Sequence, residues 1–462
     1  MFLDHARILI IGLGISGESA AALCASRGYA VTVTDTRDAD QLRPELDRLA
    51  GFPISYHLGV EPPSCADFTL IIRSPGVPRD LPVLIEAHAR AIPIWSEIEL
   101  AHTMCLCPSI AITGTNGKTT TATLAGELMR AAGRTTHVVG NIGVPFTSAI
   151  SAIDDGDVAV VEVSSAQLED CYAFQPATAV LTNVRPEHMD RYVWDQYVAA
   201  KARIVRNHTP AHSTVVNYDD EVCRKIAEQA PGHLMYFSLQ ALPADLDGVF
   251  LAGDQVVAQH VQTRSVICAH QELGVPGATA NLLAMMAVGL LWSVPVGVIR
   301  RVATGYMGRE HVIEHVTTTQ GVDYYNDSKA TNPWSTLHAL GAFPDRPVVL
   351  ITGGKDDKRA DVAPLVAGLA GRVRHVITLG QTGPRITAAA YARGITAVTQ
   401  VGTLAEAVTL AAEVAQAGDV VLFSPGANSK DMFVDHRARG ALFKQHVREL
   451  VTPPGSARLS TR

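Results

Sequence analysis

The sequence predicts an α/β chain of three domains, each a mostly parallel sheet flanked by crossover helices. Three observations predict it. The chain has 462 residues, which at roughly 150 residues per domain is about three domains. Apolar β-branched runs alternate with Ala/Leu-rich segments of helical period, the pattern of parallel strands joined by helices. The alternation starts afresh twice. The first series is ARILIIG, ESAAALCASRG, YAVTVTD and FTLIIRS; the second opens at SIAITG with a helix over Thr119–Ala132, followed by VAVVEV and TAVLTNV. The third comprises VVLITGG, HVITLG, GITAVTQV and DVVLFSP. The breaks between them fall near Ser96 and near Met307–His311, giving expected domains of 1–96, 97–308 and 309–462.

Composition narrows the function classes. Hydrophobic residues make up 47% and charged residues 18%, too apolar for a disordered chain. Lys and Arg number 38 against 45 Asp and Glu, a net charge of −7 with no dense basic block, so a nucleic-acid partner is not expected. Anionic ligands must be held by local sites. The seven cysteines are odd in number and the closest pair, Cys105 and Cys107, is C-x-C; reduced thiols in a cytoplasmic protein are the expectation. MFLDHARILIIG carries charges within its first seven residues and reads as a first strand rather than a secretory segment. Ser293, Pro295 and Gly297 interrupt the uncharged run Leu282–Ile299, so a buried helix followed by a turn is expected there, and no membrane span.

Five loops carry chemistry. The strand Ile8–Ile11 runs into Gly12-Leu13-Gly14-Ile15-Ser16-Gly17, with Asp35 at the end of the next strand. This spacing fits a dinucleotide, and equally a UDP or another diphosphate on the helix N-terminus. Ser109–Thr113 leads into Gly114-Thr115-Asn116-Gly117-Lys118-Thr119-Thr120 and a helix. Backbone amides and the Lys118 ammonium would cradle nucleotide phosphates there, while a Thr hydroxyl reaches Mg²⁺. Glu162, ending the strand Val158–Val163, is a plausible Mg²⁺ ligand because that ion takes few protein oxygens beside phosphate and water. His188 follows the strand that ends in Asn183, and Lys201 sits on a helical stretch. In the third domain Tyr325–Asn332, Gly353–Lys358 and Ser424–Ser429 gather donors and acceptors at strand ends, where open α/β sheets bind ligands.

In their order and spacing these motifs resemble the Mur ligases along nearly the whole chain: GLGISG with Asp35-Thr36-Arg37, SPG from Ser74, TGTNGKTTT, GNIG with Asn141, EVSSAQLE, NVRPEHMDRY, AAKARI, NDSKATN, GGKDDK and SPGANSKDMF. The resemblance implies a Rossmann-like first domain, a P-loop-type central ATPase domain and a Rossmann-like third domain. The implied activity is ATP-dependent ligation of D-glutamate to UDP-N-acetylmuramoyl-L-alanine through an acyl phosphate, in peptidoglycan precursor synthesis. It implies ATP contacts at Gly114, Thr115, Asn116, Gly117, Lys118, Thr119, Thr120, Asn281, Asp327 and Lys329. Two Mg²⁺ sites would use Thr119, Glu162, His188 and Lys201, the last as a carbamate, with Lys118, Glu162, His188 and Lys201 forming the catalytic set. Gly14, Ile15, Ser16, Asp35, Thr36, Arg37, Ser74 and Asn141 would take the UDP-sugar, so the glycine loop would hold UDP rather than NAD. Thr331, Lys358 and Ser429 would take the glutamate, and a monomer is expected.

The chain departs from the family pattern at Gly277-Ala278, at Ala166, at Val312, where an arginine is usual, and at Lys430. Arg309 is the nearest cation to replace that arginine, sharing a face with Val312 if the segment turns helically. The rivals are a sister ligase with another acceptor such as L-glutamate, an NAD-dependent oxidoreductase that leaves TGTNGKTTT unexplained, and a catalytically dead nucleotide-binding regulator.

Overall fold

The computed structural model describes residues 5–261, 263–355 and 361–451. The chain forms two compact units, one of Met1–Val184, Trp194–Glu272 and Ala280–Gly305, the other of Arg185–Val193, Leu273–Thr279 and Tyr306–Arg462.

The first unit holds two sheets. Strands β1 (Arg7–Ile11), β2 (Ala30–Asp35), β3 (Ile54–Leu58), β4 (Leu70–Arg73) and β5 (Ile94–Trp95) form a parallel sheet in the order β3-β2-β1-β4-β5. Its centre is buried on both faces, which explains the unbroken apolar run of β1. Ile8 and Ile10 pack with Ala20, Ala21 and Cys24 of the helix Ile15–Ser26, whereas Leu9 and Ile11 pack with Val83, Leu84 and Ala87 of the helix Pro82–Ala89.

The second sheet has nine strands: β6 (Ser109–Thr113), β7 (Thr136–Gly140), β8 (Val158–Glu162), β9 (Thr178–Leu181), β10 (Ser213–Asn217), β11 (His233–Ser238), β12 (Gly248–Ala252), β13 (Gln255–His260) and β14 (Thr263–Ala269). Their order is β14-β13-β12-β11-β10-β9-β6-β8-β7, parallel from β7 through β12 and antiparallel from β12 to β14. The expected buried segment forms the helix Thr279–Leu291, a turn with Ser293 at φ +55°, and a second helix, Val296–Thr304. No described helix is long and apolar enough to cross a membrane.

The second unit contains β15 (Glu314–Thr319), β16 (Val322–Asn326), β17 (Val348–Thr352), β18 (Val373–Thr378), β19 (Val398–Gln400) and β20 (Val420–Phe423), ordered β15-β16-β20-β17-β18-β19. All pairs are parallel except the β15–β16 hairpin. Gln320 and Gly321, both at positive φ, make that hairpin turn, the backbone twist that suits two right-twisted strands.

Within the first unit a buried arginine ties the two sheets. Arg73, at the end of β4, donates from Nε to Asp170 at 2.5 Å and from Nη2 to Glu169 at 3.0 Å and to the Ala166 carbonyl at 3.1 Å. Its Nη1 reaches the Val77 carbonyl at 2.7 Å. Burial pushes the Asp170 carboxyl up, and Arg73 opposes that rise. All seven cysteines are free thiols. Arg73→Leu removes the close partner of two buried carboxylates and leaves Arg79 at 3.6 Å from Asp170 and 3.8 Å from Glu169, so we expect it to lower stability by about 3 kcal/mol, read as the shift of a urea unfolding curve. A loss under about 1 kcal/mol would show that Arg73 does not hold this junction.

Candidate active site

The first glycine loop is shaped by close approach. Gly12 adopts φ +88°, and a Cβ on Gly17 would lie 1.9 Å from the Gly12 carbonyl oxygen, so the helix packs directly on the strand end. That helix starts at Gly14 with no side-chain cap, leaving its first N–H groups as donors for an anion. Ile15 is 73% exposed beside it. Asp35 points inward: Oδ2 accepts from the Leu13 N–H at 2.7 Å, and Oδ1 accepts from the Arg37 N–H at 2.9 Å and from its Nε at 3.0 Å. Burial opposes ionisation, but the hydrogen bonds from Arg37 and Leu13 outweigh it and hold this carboxyl below its ordinary range. A ribose-binding aspartate needs free oxygens, and here both are engaged in fixing Arg37 and the loop. Thr36 is exposed at the strand end and Ser16 half-buried at the helix start. Ser74 donates to the Gly12 carbonyl at 2.7 Å, which pins the loop from β4.

The second loop, between β6 and the helix Lys118–Ala131, is gripped by the end of β9. The Thr115 N–H donates to the Asn183 carbonyl at 2.8 Å, and the Asn116 N–H to the Asn183 side-chain oxygen at 2.9 Å. In return Thr182 Oγ1 and Asn183 Nδ2 donate to the Asn116 carbonyl, at 2.7 and 3.0 Å. A Cβ at Gly114 would meet Thr182 Oγ1 at 1.9 Å, and one at Gly117, at φ +82°, would meet Asn281 Oδ1 at 2.4 Å. Asn281 also accepts from Thr121 Oγ1 at 3.2 Å, so it braces the loop. The helix starts without a side-chain cap, and Thr119 and Thr120 sit in its first turn. Lys118 Nζ donates to the carbonyls of Gly114 and Thr115, each at 2.8 Å. Lys201, only 1% exposed, donates to the same Gly114 carbonyl at 2.7 Å and lies 4.6 Å from the Tyr197 ring. The Tyr197 hydroxyl in turn bonds Thr115 Oγ1 at 3.1 Å.

Glu162 completes this cluster. In the register of β6 and β8 it stands opposite Ile112, two residues before Gly114. Its Oε1 accepts from Asn141 Nδ2 at 2.9 Å, whereas Oε2 is buried without a hydrogen-bond partner. A buried, unpartnered carboxylate oxygen is costly and has the chemistry a hard cation takes, so the residues fit Mg²⁺.

In the second unit, Asp327 follows β16. Its Oδ1 accepts from the Ile313 N–H at 3.2 Å and its Oδ2 from Ser424 Oγ at 2.7 Å. Burial, against these hydrogen bonds, pushes its carboxyl up to about 7. Arg439, which the sequence reading passed over, clamps the same loops: it donates from Nη1 to the Ala427 carbonyl at 3.1 Å and from Nη2 to the Ser328 carbonyl at 2.8 Å. Burial lowers its guanidinium to about 10. Lys329 and Thr331 lie on this first loop and Ser429, buried, on the second; Lys358 lies outside the described residues. His188, at φ +58°, belongs to this unit through the segment Arg185–Val193. The helical turn expected at Arg309 is absent. The Val312 N–H instead donates to the Arg309 carbonyl at 3.1 Å and the two residues form an antiparallel bridge, because His311 at φ +64° leaves the helical region. Paired residues of such a bridge still share a face. Arg309 Nη1 is buried without a partner.

Three family models cover most of the chain: a Mur ligase MurD-like N-terminal domain over 6–96, a Mur ligase middle domain over 112–289 and a Mur ligase glutamate ligase domain over 309–426. The chain belongs to the Mur ligase family. It is similar to proteins named UDP-N-acetylmuramoylalanine–D-glutamate ligase. The one from Symbiobacterium thermophilum is 38% identical over 96% of this chain and 98% of that protein, and the one from Lachnoclostridium phytofermentans 35% identical over the same shares. Among solved structures it matches a pseudomurein peptide ligase type C from Methanothermus fervidus with a TM-score of 0.60, at 16% identity, over 97% of this chain and all of that one. A UDP-N-acetylmuramate-alanine ligase from Thermotoga maritima gives a TM-score of 0.56 at 18% identity, over 96% of this chain and 100% of that one. These two show the shared fold. This Mur ligase is an ATP-dependent ligase.

The raised Asp327 carboxyl has a stability signature. Unfolded, this aspartate loses its proton near 3.8; folded, near 7. Between those values the folded protein holds a proton the unfolded chain lacks, so its contribution falls as pH rises from about 4 to 7, at most by about 1.4 kcal/mol per unit. Asp327→Asn should therefore lose less stability than wild type between pH 5 and pH 7 in urea titrations. Parallel pH profiles for the two proteins would contradict the assignment.

Proposed function

We propose that this Mur ligase joins the carboxylate of UDP-N-acetylmuramoyl-L-alanine to the amine of D-glutamate at the expense of ATP. The similarity to D-glutamate ligases along 96% of the chain supports the substrates, and the loop Gly114–Lys118 beside the unpartnered Glu162 oxygen supports the chemistry. Residues 1–96 would take the UDP-sugar, with Gly14, Ile15, Ser16, Thr36, Arg37 and Ser74 facing it and Asp35 positioning Arg37. Residues 97–308 would take ATP, and 309–462 the amino acid while also contributing contacts to ATP.

The substrate carboxylate attacks the γ-phosphorus, and ADP leaves. The resulting acyl phosphate is attacked by the glutamate amine, and the tetrahedral intermediate collapses to the amide and phosphate. Lys118 turns from the Gly114 and Thr115 carbonyls to the transferring phosphoryl, where its charge and the first N–H groups of the helix Lys118–Ala131 stabilise developing negative charge. Thr119 and Glu162 would hold one Mg²⁺; His188 and Lys201, as a carbamate, would serve a second. Bound Mg²⁺ neutralises the repulsion between anionic nucleophile and anionic phosphate. After losing a proton, the Lys201 amine would add CO₂ and release a second proton, and the carbamate so formed would be a metal-directed anion. Asn141, through its bond to Glu162, orients that carboxylate. Asn281, Asp327 and Lys329 would meet ATP, and Thr331, Lys358 and Ser429 the glutamate, with a cation for its side chain. The free thiols suit a cytoplasmic setting, where we place a monomer.

Phosphate release with UDP-N-acetylmuramoyl-L-alanine should require D-glutamate; a higher rate with L-glutamate would move the assignment to a sister ligase. Lys118→Ala should cost about 10²-fold in turnover, and activity lost in CO₂-depleted buffer should return with bicarbonate. Arg309, with its unpartnered Nη1, is proposed to supply the cation that Val312 lacks. Arg309→Ala should raise the KM for ATP, and Val312→Arg should lower it again in that background. Unchanged ATP kinetics would remove Arg309 from this role.

A further inference from the structure

Away from these loops, three side chains converge at one end of three neighbouring strands of the nine-stranded sheet. His233 opens β11, Asp247 immediately precedes β12 and His260 closes β13. The pairing of Gly248 with Gln259 in the β12–β13 ladder brings Asp247 beside His260. Asp247 Oδ2 lies 3.1 Å from His233 Nε2 and 2.8 Å from His260 Nδ1, and the three ligand atoms all lie within 4.8 Å of one another. Ligand atoms on a tetrahedral Zn²⁺, each at about 2.0–2.2 Å from the ion, stand roughly this far apart. The other carboxylate oxygen, Oδ1, accepts from the Val261 N–H at 2.8 Å, with Val261 at φ +45°. An outer hydrogen bond of this kind fixes a ligating carboxylate. The three side chains are 42%, 20% and 67% exposed, in the order His233, Asp247, His260, so an ion from solvent reaches them.

A second cluster, Glu310, His311 and Glu314, has similar spacing but already holds a cation. Lys444 Nζ lies 2.6 Å from Glu310 Oε1 and 3.0 Å from Glu314 Oε1, and His311 Nδ1 is bonded by Asn326 Nδ2 at 2.9 Å. Among the described residues no lysine or arginine pairs with Asp247.

We propose that His233, Asp247 and His260 form a binding site for a divalent transition ion of the Zn²⁺ class. Two imidazoles and one carboxylate select such an ion over Mg²⁺ or Ca²⁺, which take oxygen ligands. Binding exchanges the ring N–H protons that now face Oδ2 for metal bonds and ties three successive strands together. The site lies outside the residues proposed for the ligase reaction, so its failure and the failure of that reading are separable.

Calorimetric titration of the full-length protein with ZnCl₂, in millimolar MgCl₂ to fill oxygen-rich sites, tests it. Wild type should bind one Zn²⁺ more than the His233→Asn/His260→Asn double variant. Each single variant should weaken that site by about tenfold or more. Zn²⁺ should raise the unfolding temperature of wild type more than that of the double variant, and phosphate release in Mg²⁺ alone should be equal in both. Equal Zn²⁺ stoichiometry and affinity in wild type and double variant overturn the proposal. If the double variant does not fold, Asp247→Asn replaces it under the same criterion.

Discussion

The grip of Thr182 and Asn183 on the loop from Gly114 to Lys118 is the constraint from which the rest of the central domain follows. Four hydrogen bonds from the end of β9 hold the loop so close to the strand that only glycine fits at position 114. Because backbone groups of Thr115 and Asn116 are satisfied from that side, the uncapped N–H groups of the following helix remain for phosphate. Two ammonium groups, of Lys118 and Lys201, then meet on one carbonyl oxygen. Bringing like charges together is unfavourable, and Lys118 is thereby poised for an anionic phosphate.

Carboxylates are used in opposite ways along the chain. Asp35 and Asp170 are answered by arginines, and Glu162 keeps one oxygen unanswered. Asp327 is buried beside a hydroxyl and an amide and stays largely protonated below about 7. The difference lies in what surrounds each group: a guanidinium stabilises the ionised form, whereas burial with neutral donors favours the acid.

Much of this was legible in the residues. Strand, glycine pair, lysine and helix in order marked the central loop, and the run of β1 announced a sheet covered on both faces. What escaped reading depends on long sequence separation. Arg73 meets carboxylates 96 and 97 positions away, and Arg439 meets Ser328 at a separation of 111; a single arginine carries no local pattern. The antiparallel meander from β12 to β14 had a local signal, Gly253-Asp254 between VFLA and QVVAQH, but the parallel pattern elsewhere masked it. Around Arg309 the helical expectation failed because the chain there turns back on itself, although the pairing with Val312 keeps the shared face the argument required.

That meander also decides how the long sheet ends. A nine-stranded, mostly parallel sheet that stopped at a flat apolar strand would offer its unpaired backbone to any other chain. Here the terminal strand β14 begins with Thr263, Arg264 and Ser265, all exposed. The ladder slips between Val256 and Val257, adding local twist. A charged, irregular border is a poor template for strand addition, so this edge of the sheet resists growth.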